Sequence, residues 1–371
     1  MKYFVKFAVV CLEQDLSDEK VSATEVNEYY KLFEKLLSLS LETKILNCCF
    51  QGLQCLFSTS TTNFPTNVNM KWLNSLLTKN LCSACWDIRD STLGFIKHLL
   101  RCQYDFLDSL FDSKLLSFLW KLVDDNESYV RATCISAIGF LAMHDRIWKH
   151  FQEILTLTEE EVLNCILMQF KDEESAFARR ATVETLCFWL ERKHNIILLH
   201  LELVKSFRLT PISEVLEMAS QDFDWEVKVL VLDFWKIMLQ DIKWKVVPLE
   251  NIESNFINEV GKYILSAIID CDAPVRAKGF ELLNVIKTRT NEIARQPTLL
   301  YKSSIDELYN FIIKAQKDCN KSLLKTLLTV NFSDYIEHYQ TVTTFLQDPI
   351  PFLRDILTAA SENEDNLLDC Y

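Results

Sequence analysis

Apolar residues recur at intervals of three or four along most of the chain, in runs that short polar segments interrupt. This period places the apolar residues of each run on one face of an α-helix. The clearest run follows Asp125, and its positions predict a single buried face. These positions are Val130, Cys134, Ile135, Ile138 and Leu141. The run before Asp125, at 113–123, has the same period, so the pattern predicts two amphipathic helices joined by an acidic turn.

A short motif marks the beginning of each second helix. An acidic turn is followed by an apolar residue, a basic residue and a further apolar run, most clearly around Arg131 and Arg276. The aligned basic residues are Lys44, Arg89, Arg131, Arg180, Lys228, Arg276 and Lys321. Their spacing of roughly 42 to 49 residues is close to that of HEAT and armadillo repeats. Because an isolated pair leaves an apolar side in water, the sequence predicts an all-α fold over 1–360, a right-handed α-solenoid of about seven HEAT-like or armadillo-like repeats.

Several details of the repeat follow from elementary chemistry. We expect each basic residue to pair with the acidic turn of the preceding repeat, forming a ladder along the solenoid. Asp125 or Asn126 is expected to cap the second helix, and Pro274 belongs in a first helical turn, where its missing N–H is not needed. Glycines inside second helices cost about 1 kcal/mol each against alanine, so they predict close contacts between helices. They are Gly52, Gly94 and Gly139.

Composition agrees with a helical protein. Apolar residues make up 49% of the chain, and only 5 glycines and 7 prolines interrupt it, well below average usage. The first twelve residues are broken by Lys6 and lack a cleavage site, so we predict a repeat helix there and not a signal peptide. No segment approaches the roughly 18 consecutive apolar residues of a membrane span. We therefore expect a soluble, intracellular protein with no membrane partner.

The charge balance bears on the kind of partner. The chain has 39 basic and 52 acidic residues, a net charge of −13. Because nucleic acids are bound through basic surfaces that neutralise phosphates, we predict protein partners and no direct binding of nucleic acid. The sequence contains no nucleophile elbow, no phosphate-binding glycine loop and no H-E-x-x-H motif. We therefore predict that the protein is not an enzyme.

The chain contains 13 cysteines, an odd number, and most lie within apolar helical segments. A chain of this size does not need disulfides, so buried free thiols in a reducing compartment are expected. Cys82 and Cys85 form a lone C-x-x-C, and a structural zinc site would need a second pair. We expect both thiols to face the core one helical turn apart, and we make the same prediction for Cys48 and Cys49.

The last segment, 361–371, differs from the repeats. Its acidic side chains crowd against the terminal carboxylate, and a helix C-terminus is where anions are tolerated least. We therefore predict a flexible acidic tail beyond the solenoid.

The tail ends in an apolar pair, Leu367 and Leu368, followed by Asp369, Cys370 and Tyr371. Carboxylate and thiolate groups bind zinc at about 2.0–2.3 Å, but the tail has too few of them to hold a metal of its own. It either completes a zinc site in another protein or is a frayed terminus without a role. Since the other thiols have core positions to occupy, Cys370 is the one that packing does not explain.

HEAT-type repeats that end in Leu-Leu-Asp-Cys-Tyr resemble the BRCA-associated ATM activator family, a HEAT-repeat assembly factor of the Integrator complex. In that family the C-terminus enters the active site of Integrator's metallo-β-lactamase-fold RNA endonuclease and contacts its zinc. The resemblance implies that Asp369, Cys370 and Tyr371 ligate the partner's zinc and that Leu367 and Leu368 also contact the partner. It implies no cofactor of the chain's own, and a tail that keeps the endonuclease inactive during assembly.

The same resemblance implies that the repeats grip the endonuclease and its pseudo-enzyme paralogue, and it adds an ATM-type kinase as a partner. It further implies snRNA processing and the DNA damage response as settings, in the cytoplasm and the nucleus. Family members are longer, so the chain is expected to correspond to a C-terminal portion or a short form. The competing hypothesis is a general HEAT-repeat adaptor, in kinase regulation or transport, whose tail has no function.

Overall fold

The computed structural model describes residues 2–17, 22–39, 42–57, 68–102, 106–192, 211–240, 254–268 and 270–295. Within these ranges all regular elements are helices, and no strand is formed. The helices are α1 Lys2–Ser17, α2 Ala23–Leu37, α3 Thr43–Phe57, α4 Met70–Leu81, α5 Trp86–Cys102, α6 Leu107–Leu110, α7 Ser113–Lys121, α8 Ser128–Leu141, α9 Asp145–Leu155, α10 Glu159–Asp172, α11 Ala176–Arg192, α12 Pro211–Ser220, α13 Trp225–Gln240, α14 Ser254–Ile268 and α15 Ala273–Arg295. A 3-10 turn at Leu122–Asp124 follows α7.

The described helices fall into two compact units that divide between Ala219 and Ser220. In the first unit the second helices of successive repeats contact one another in the order α3, α5, α8 and α11, while the first helices α4, α7 and α9 contact one another. In the second unit α13 contacts α15, and α14 packs against α15. The predicted pairing of helices is therefore confirmed in both units.

Helix α8 shows why the apolar period predicts the core. All five positions of its predicted face are buried, and the Cys134 thiol donates to the carbonyl of Leu119 at 3.1 Å. The rings of Phe50 and Phe95, from α3 and α5, stack with centroids 4.5 Å apart. Burying one such side chain stabilises the fold by about 1.5–3 kcal/mol, so the repeats are held together mainly by these faces.

The helix ends agree only in part with the sequence predictions. Pro274 lies in the first turn of α15, as expected. The prediction that Asp125 or Asn126 caps α8 is wrong, because the capping position is Glu127 and no side chain bonds the first turn there. The Asp125 carboxylate instead accepts the N–H of Glu127 at 2.9 Å, which stabilises the turn before the helix.

The three glycines for which close contacts were predicted have different surroundings. A Cβ built on Gly52 would lie 2.2 Å from Cζ of Phe33, and one on Gly139 would lie 3.0 Å from Cγ2 of Thr185. Close contact is therefore confirmed at these two positions. The prediction of a close contact is wrong for Gly94, where a Cβ would meet no atom within 4 Å.

The first residues form helix α1, as predicted, and α1 contacts α3. In the part of the chain that the structure describes, no helix has the length and apolar character needed to cross a bilayer. The seventh basic position, Lys321, and the predicted boundary between 360 and 361 lie outside the described residues.

Candidate functional site

The sequence predicts a partner-binding site at the end of the chain. Leu367, Leu368, Asp369, Cys370 and Tyr371 all lie outside the described residues. Their part in binding a partner's zinc therefore stays a prediction. The described repeats do contain one edge where functional side chains accumulate, namely the turns that precede the second helices.

A ladder of ion pairs joins consecutive repeats at this edge. Arg89 of α5 forms a bidentate pair with Asp125, with its Nε and Nη2 2.8 and 2.7 Å from the two carboxylate oxygens. Arg131 of α8 binds Glu173 in the same way, at 2.6 and 2.7 Å. In the second unit Lys228 binds Asp270, with its Nζ 2.9 Å from both carboxylate oxygens. The predicted ladder exists, but its direction was wrong, because Arg89, Arg131 and Lys228 each reach the turn of the following repeat.

The arginines also close the turns of their own repeats. Nη1 of Arg131 donates to the carbonyls of Asp125 and Asn126 at 2.7 and 3.0 Å. Nη1 of Arg276 likewise donates to the carbonyls of Asp270 and Cys271. These carbonyls would otherwise need water as a partner. One side chain therefore links the turn of its own repeat to the turn of the next.

The same geometry corrects one aligned position. Arg179, and not Arg180, donates to the carbonyls of Glu173 and Glu174, at 3.1 and 2.7 Å. The guanidinium of Arg180 lies over the ring of Phe177, 5.4 Å from its centroid. Lys44, from a weak copy of the motif, is exposed and forms no ion pair within the described ranges.

The ladder changes the ionisation of its members. Burial raises the pKa of Glu173, but hydrogen bonds from Arg131 and from the N–H of Ser175 outweigh it, so the net pKa is below its ordinary value of 4.5. The hydrogen bond to Glu173 raises the pKa of Arg131 in turn. The side chains of Arg131 and Glu173 are only 19% and 5% exposed, so this pair is largely screened from water.

Beside the ladder lies a row of aromatic rings that the sequence analysis missed. Trp86, Tyr129 and Phe177, here called the aromatic stripe, occupy the first or second residue of α5, α8 and α11. The centroids of Trp86 and Tyr129 are 5.7 Å apart in a stacked pair, and those of Tyr129 and Phe177 are 4.7 Å apart. The signal in the sequence was an aromatic residue two or three positions before the arginine of the ladder.

The cysteines are less uniformly buried than predicted. Cys49 is buried, but Cys82 and Cys85 are exposed, because helix α4 ends at Leu81 and the C-x-x-C forms the turn before α5. The described cysteines that are exposed are Cys82, Cys85, Cys102, Cys165 and Cys271. Core packing therefore does not account for several thiols of the repeats. The argument that Cys370 is the one thiol without a core position was wrong.

Native-state alkylation is expected to separate these two classes of thiol. Burial raises the pKa of Cys49 to about 12, and only thiolates react. At pH 8 we expect iodoacetamide to modify Cys82 and Cys85 at least about tenfold faster than Cys49, as followed by peptide mass spectrometry. In denaturant all three should react alike. Equal native rates would contradict the placement of the C-x-x-C in an exposed turn.

One cluster of acidic residues and a thiol in the second unit has the composition of a metal site. The possible ligand atoms of Asp270, Cys271 and Asp272 lie within 4.8 Å of one another. The carboxylates of Asp270 and Asp272, however, already accept hydrogen bonds from the ammonium group of Lys228. The crevice beside Lys228 measures about 10 Å³, the room needed by about one water molecule. The Lys228–Asp270 pair of this cluster links two successive repeats.

Comparisons with known proteins agree with a repeat protein. A sequence model of one family, described as Integrator complex assembly factor BRAT1, matches residues 5–371. A protein of that name from Danio rerio is 26% identical over 340 residues, which are 80% of this chain and 40% of the relative. One from Mus musculus is 28% identical over 335 residues, 80% of this chain and 39% of the relative. The chain thus spans about 40% of the length of the curated relatives it matches.

Among solved structures, a chain from the complex of Kap95p with RanGDP superposes with a TM-score of 0.52 at 14% identity. The superposition covers 89% of this chain and 43% of that one. At this identity the likeness concerns the fold alone. It confirms the predicted all-α class, a solenoid of HEAT or armadillo type.

Proposed function

Because the chain belongs to the family of the Integrator complex assembly factor BRAT1, we propose that it is a non-catalytic scaffold in the assembly of the Integrator complex. The observation that carries the proposal is the extent of the family match, which runs through the repeats and includes the final residues of the tail. A helical-repeat fold with a net charge of −13 also favours protein partners. In this role the chain acts in the nucleus as well as the cytoplasm.

The partner that we propose is Integrator's RNA endonuclease module, a metallo-β-lactamase-fold enzyme and its pseudo-enzyme paralogue. The repeats bind the module, and the tail enters the zinc site of the endonuclease. There the Cys370 thiol loses its proton and the thiolate ligates zinc, with the Tyr371 terminal carboxylate or Asp369 as a second ligand. Leu367 and Leu368 contact the walls of the site. Water and RNA are excluded until assembly is complete.

The experiment compares the unchanged chain with one that lacks Cys370 and Tyr371. Both are used to capture the endonuclease module and to inhibit cleavage of its RNA substrate. We expect the truncation to weaken inhibition by at least about tenfold, since even the loss of an outer-shell partner of a metal ligand costs that much. One residue added after Tyr371 should have a similar effect, because it moves the terminal carboxylate. Thiolate ligation also predicts weaker binding at acid pH.

Cys85→Ser is the matched control, because it removes an exposed thiol from a repeat turn and leaves the tail intact. If the truncated chain recovers and inhibits the endonuclease as well as the unchanged chain, the tail has no role and the chain is a general adaptor. If neither chain recovers the module, the Integrator assignment itself is wrong.

A further inference from the structure

The aromatic stripe leaves three neighbouring aromatic rings partly exposed to water. Trp86, Tyr129 and Phe177 are 38%, 45% and 44% exposed. Large aromatic side chains present about 150–250 Å² each, so roughly 250 Å² of the stripe is exposed. The largest apolar patch on a typical monomer measures about 300–600 Å² and is often functional, so the stripe approaches the lower end of that range.

Packing between repeats accounts for part of the stripe. Stacked or tilted aromatic pairs contribute about 0.5–1.5 kcal/mol beyond their buried area, and the two pairs tie α5 to α8 and α8 to α11. That role needs only the ring faces that meet. It does not explain why three consecutive repeats each keep about two fifths of a large ring in water at the same register.

The charges around the stripe are mainly negative. Asp87, Glu127 and Glu174 lie within three residues of the rings along the chain, and Glu127 and Glu174 are exposed. Within the described ranges these three carboxylates form no ion pair, whereas Arg89 and Arg131 are neutralised by the ladder. We call Asp87, Glu127 and Glu174 the acidic rim.

Arg180 already forms a cation–π contact with one ring of the stripe. The guanidinium of Arg180 lies over Phe177, 5.4 Å from the ring centroid, within the range of a cation–π interaction. A cation that approached the stripe from outside would meet both aromatic surface and the acidic rim. A phosphate would meet the same carboxylates and be repelled.

We propose that the aromatic stripe and the acidic rim bind an extended, arginine-rich segment of a protein partner. Alternate side chains of an extended chain lie on one side and are about 6.6 Å apart, about 1–2 Å more than the ring spacings of 5.7 and 4.7 Å, a difference that the long arginine side chain can span. Arginines at alternate positions therefore lie across successive rings and pair with Glu127 and Glu174. This interaction is independent of the tail and does not rest on the Integrator assignment.

Fluorescence anisotropy with the full chain tests the proposal. The probe is a fluorescein-labelled peptide of about ten residues in which arginine and serine alternate, and the comparison peptide has glutamate in place of arginine. We expect the arginine peptide to bind and the glutamate peptide not to bind. Tyr129→Ser should weaken its binding by about fivefold, the equivalent of one exposed cation–π contact. Combined Glu127→Gln and Glu174→Gln should weaken it and reduce its dependence on salt.

Phe7→Ser is the matched control, because Phe7 is 67% exposed on α1 and lies outside the stripe. It should leave binding of the peptide unchanged. Trp86→Gln provides a second variant of the stripe, and circular dichroism shows that each variant is folded. The proposal is overturned if the arginine peptide does not bind, if the folded stripe variants bind it as tightly as the unchanged chain, or if a single-stranded oligouridylate binds the stripe instead.

Discussion

Arg131→Met is expected to lower the free energy of unfolding of the first unit by about 3 kcal/mol, at the lower end of the range for breaking a buried ion pair. Methionine keeps much of the aliphatic stem and removes the guanidinium. Glu173, whose side chain is 5% exposed, then keeps the N–H of Ser175 as a partner but loses both bonds to Arg131. The carbonyls of Asp125 and Asn126 lose their donor as well. Chemical denaturation and hydrogen exchange of α8 and α11 measure the effect.

The matched control is Arg146→Met. Arg146 pairs with Asp108 at 3.1 Å, but the two side chains are 89% and 46% exposed, so the change should cost less than about 0.5 kcal/mol. Replacing both Arg131 and Glu173 with methionine should restore most of the loss, since no buried charge then remains unpaired. Equal effects of Arg131→Met and Arg146→Met would show that the ladder does not stabilise the fold.

The pH dependence gives the same prediction a second readout. The pKa of Glu173 is lower in the folded state than its ordinary value of 4.5. Its pairing therefore stabilises the fold above that value, and the contribution is lost as the pH falls through the folded-state pKa. The stabilities of the unchanged chain and of Arg131→Met should converge as the pH falls below about 4.5.

Gly52→Ala is expected to lower the free energy of unfolding by up to about 2 kcal/mol, even though alanine is the better helix former. The new Cβ would lie 2.2 Å from Cζ and 2.6 Å from both Cε atoms of Phe33, which is fully buried. Overpacking of a filled core costs about 1–3 kcal/mol, and the helical preference of alanine offsets about 1 kcal/mol at most. Urea unfolding of the two proteins gives the difference.

Gly94→Ala is the matched control in α5. Because no atom lies within 4 Å of its added Cβ, only helical preference changes, and we expect stabilisation of up to about 1 kcal/mol. Phe33→Leu in the Gly52→Ala chain should relieve part of the clash. If both glycine variants gained stability, α2 and α3 would not be as close as the structure places them.

The sequence predicts the repeats well because their apolar period and acidic turns are local properties. The buried face of α8 and the first turn of α15 at Pro274 follow from neighbouring residues alone. The direction of the ladder does not, since Arg131 lies about as far along the chain from Asp87, beside the preceding turn, as from Glu173 in the following one. Adjacent basic residues at Arg179 and Arg180 are equally ambiguous until the hydrogen bonds to the turn are known.

The cysteines and the aromatic stripe show a second limit. The sequence predicts Cys82 and Cys85 one helical turn apart on a core face, whereas α4 ends at Leu81 and both thiols are exposed. Trp86, Tyr129 and Phe177 are far apart in the sequence, and aromatic residues are usually assigned to cores. Only the stacking of repeats shows that they share one surface. The role of the tail depends on a partner, so it stays a prediction here.

The direction of the ladder has a consequence for the order in which the protein is made. During synthesis, Arg89 emerges well before Asp125, and Arg131 well before Glu173, so at these two steps a repeat leaves the ribosome with a cation whose counter-ion belongs to the next one. The opposite direction would leave a carboxylate waiting instead. The register of the charges therefore decides that the group that waits for its partner is a guanidinium, which keeps its charge at any physiological pH.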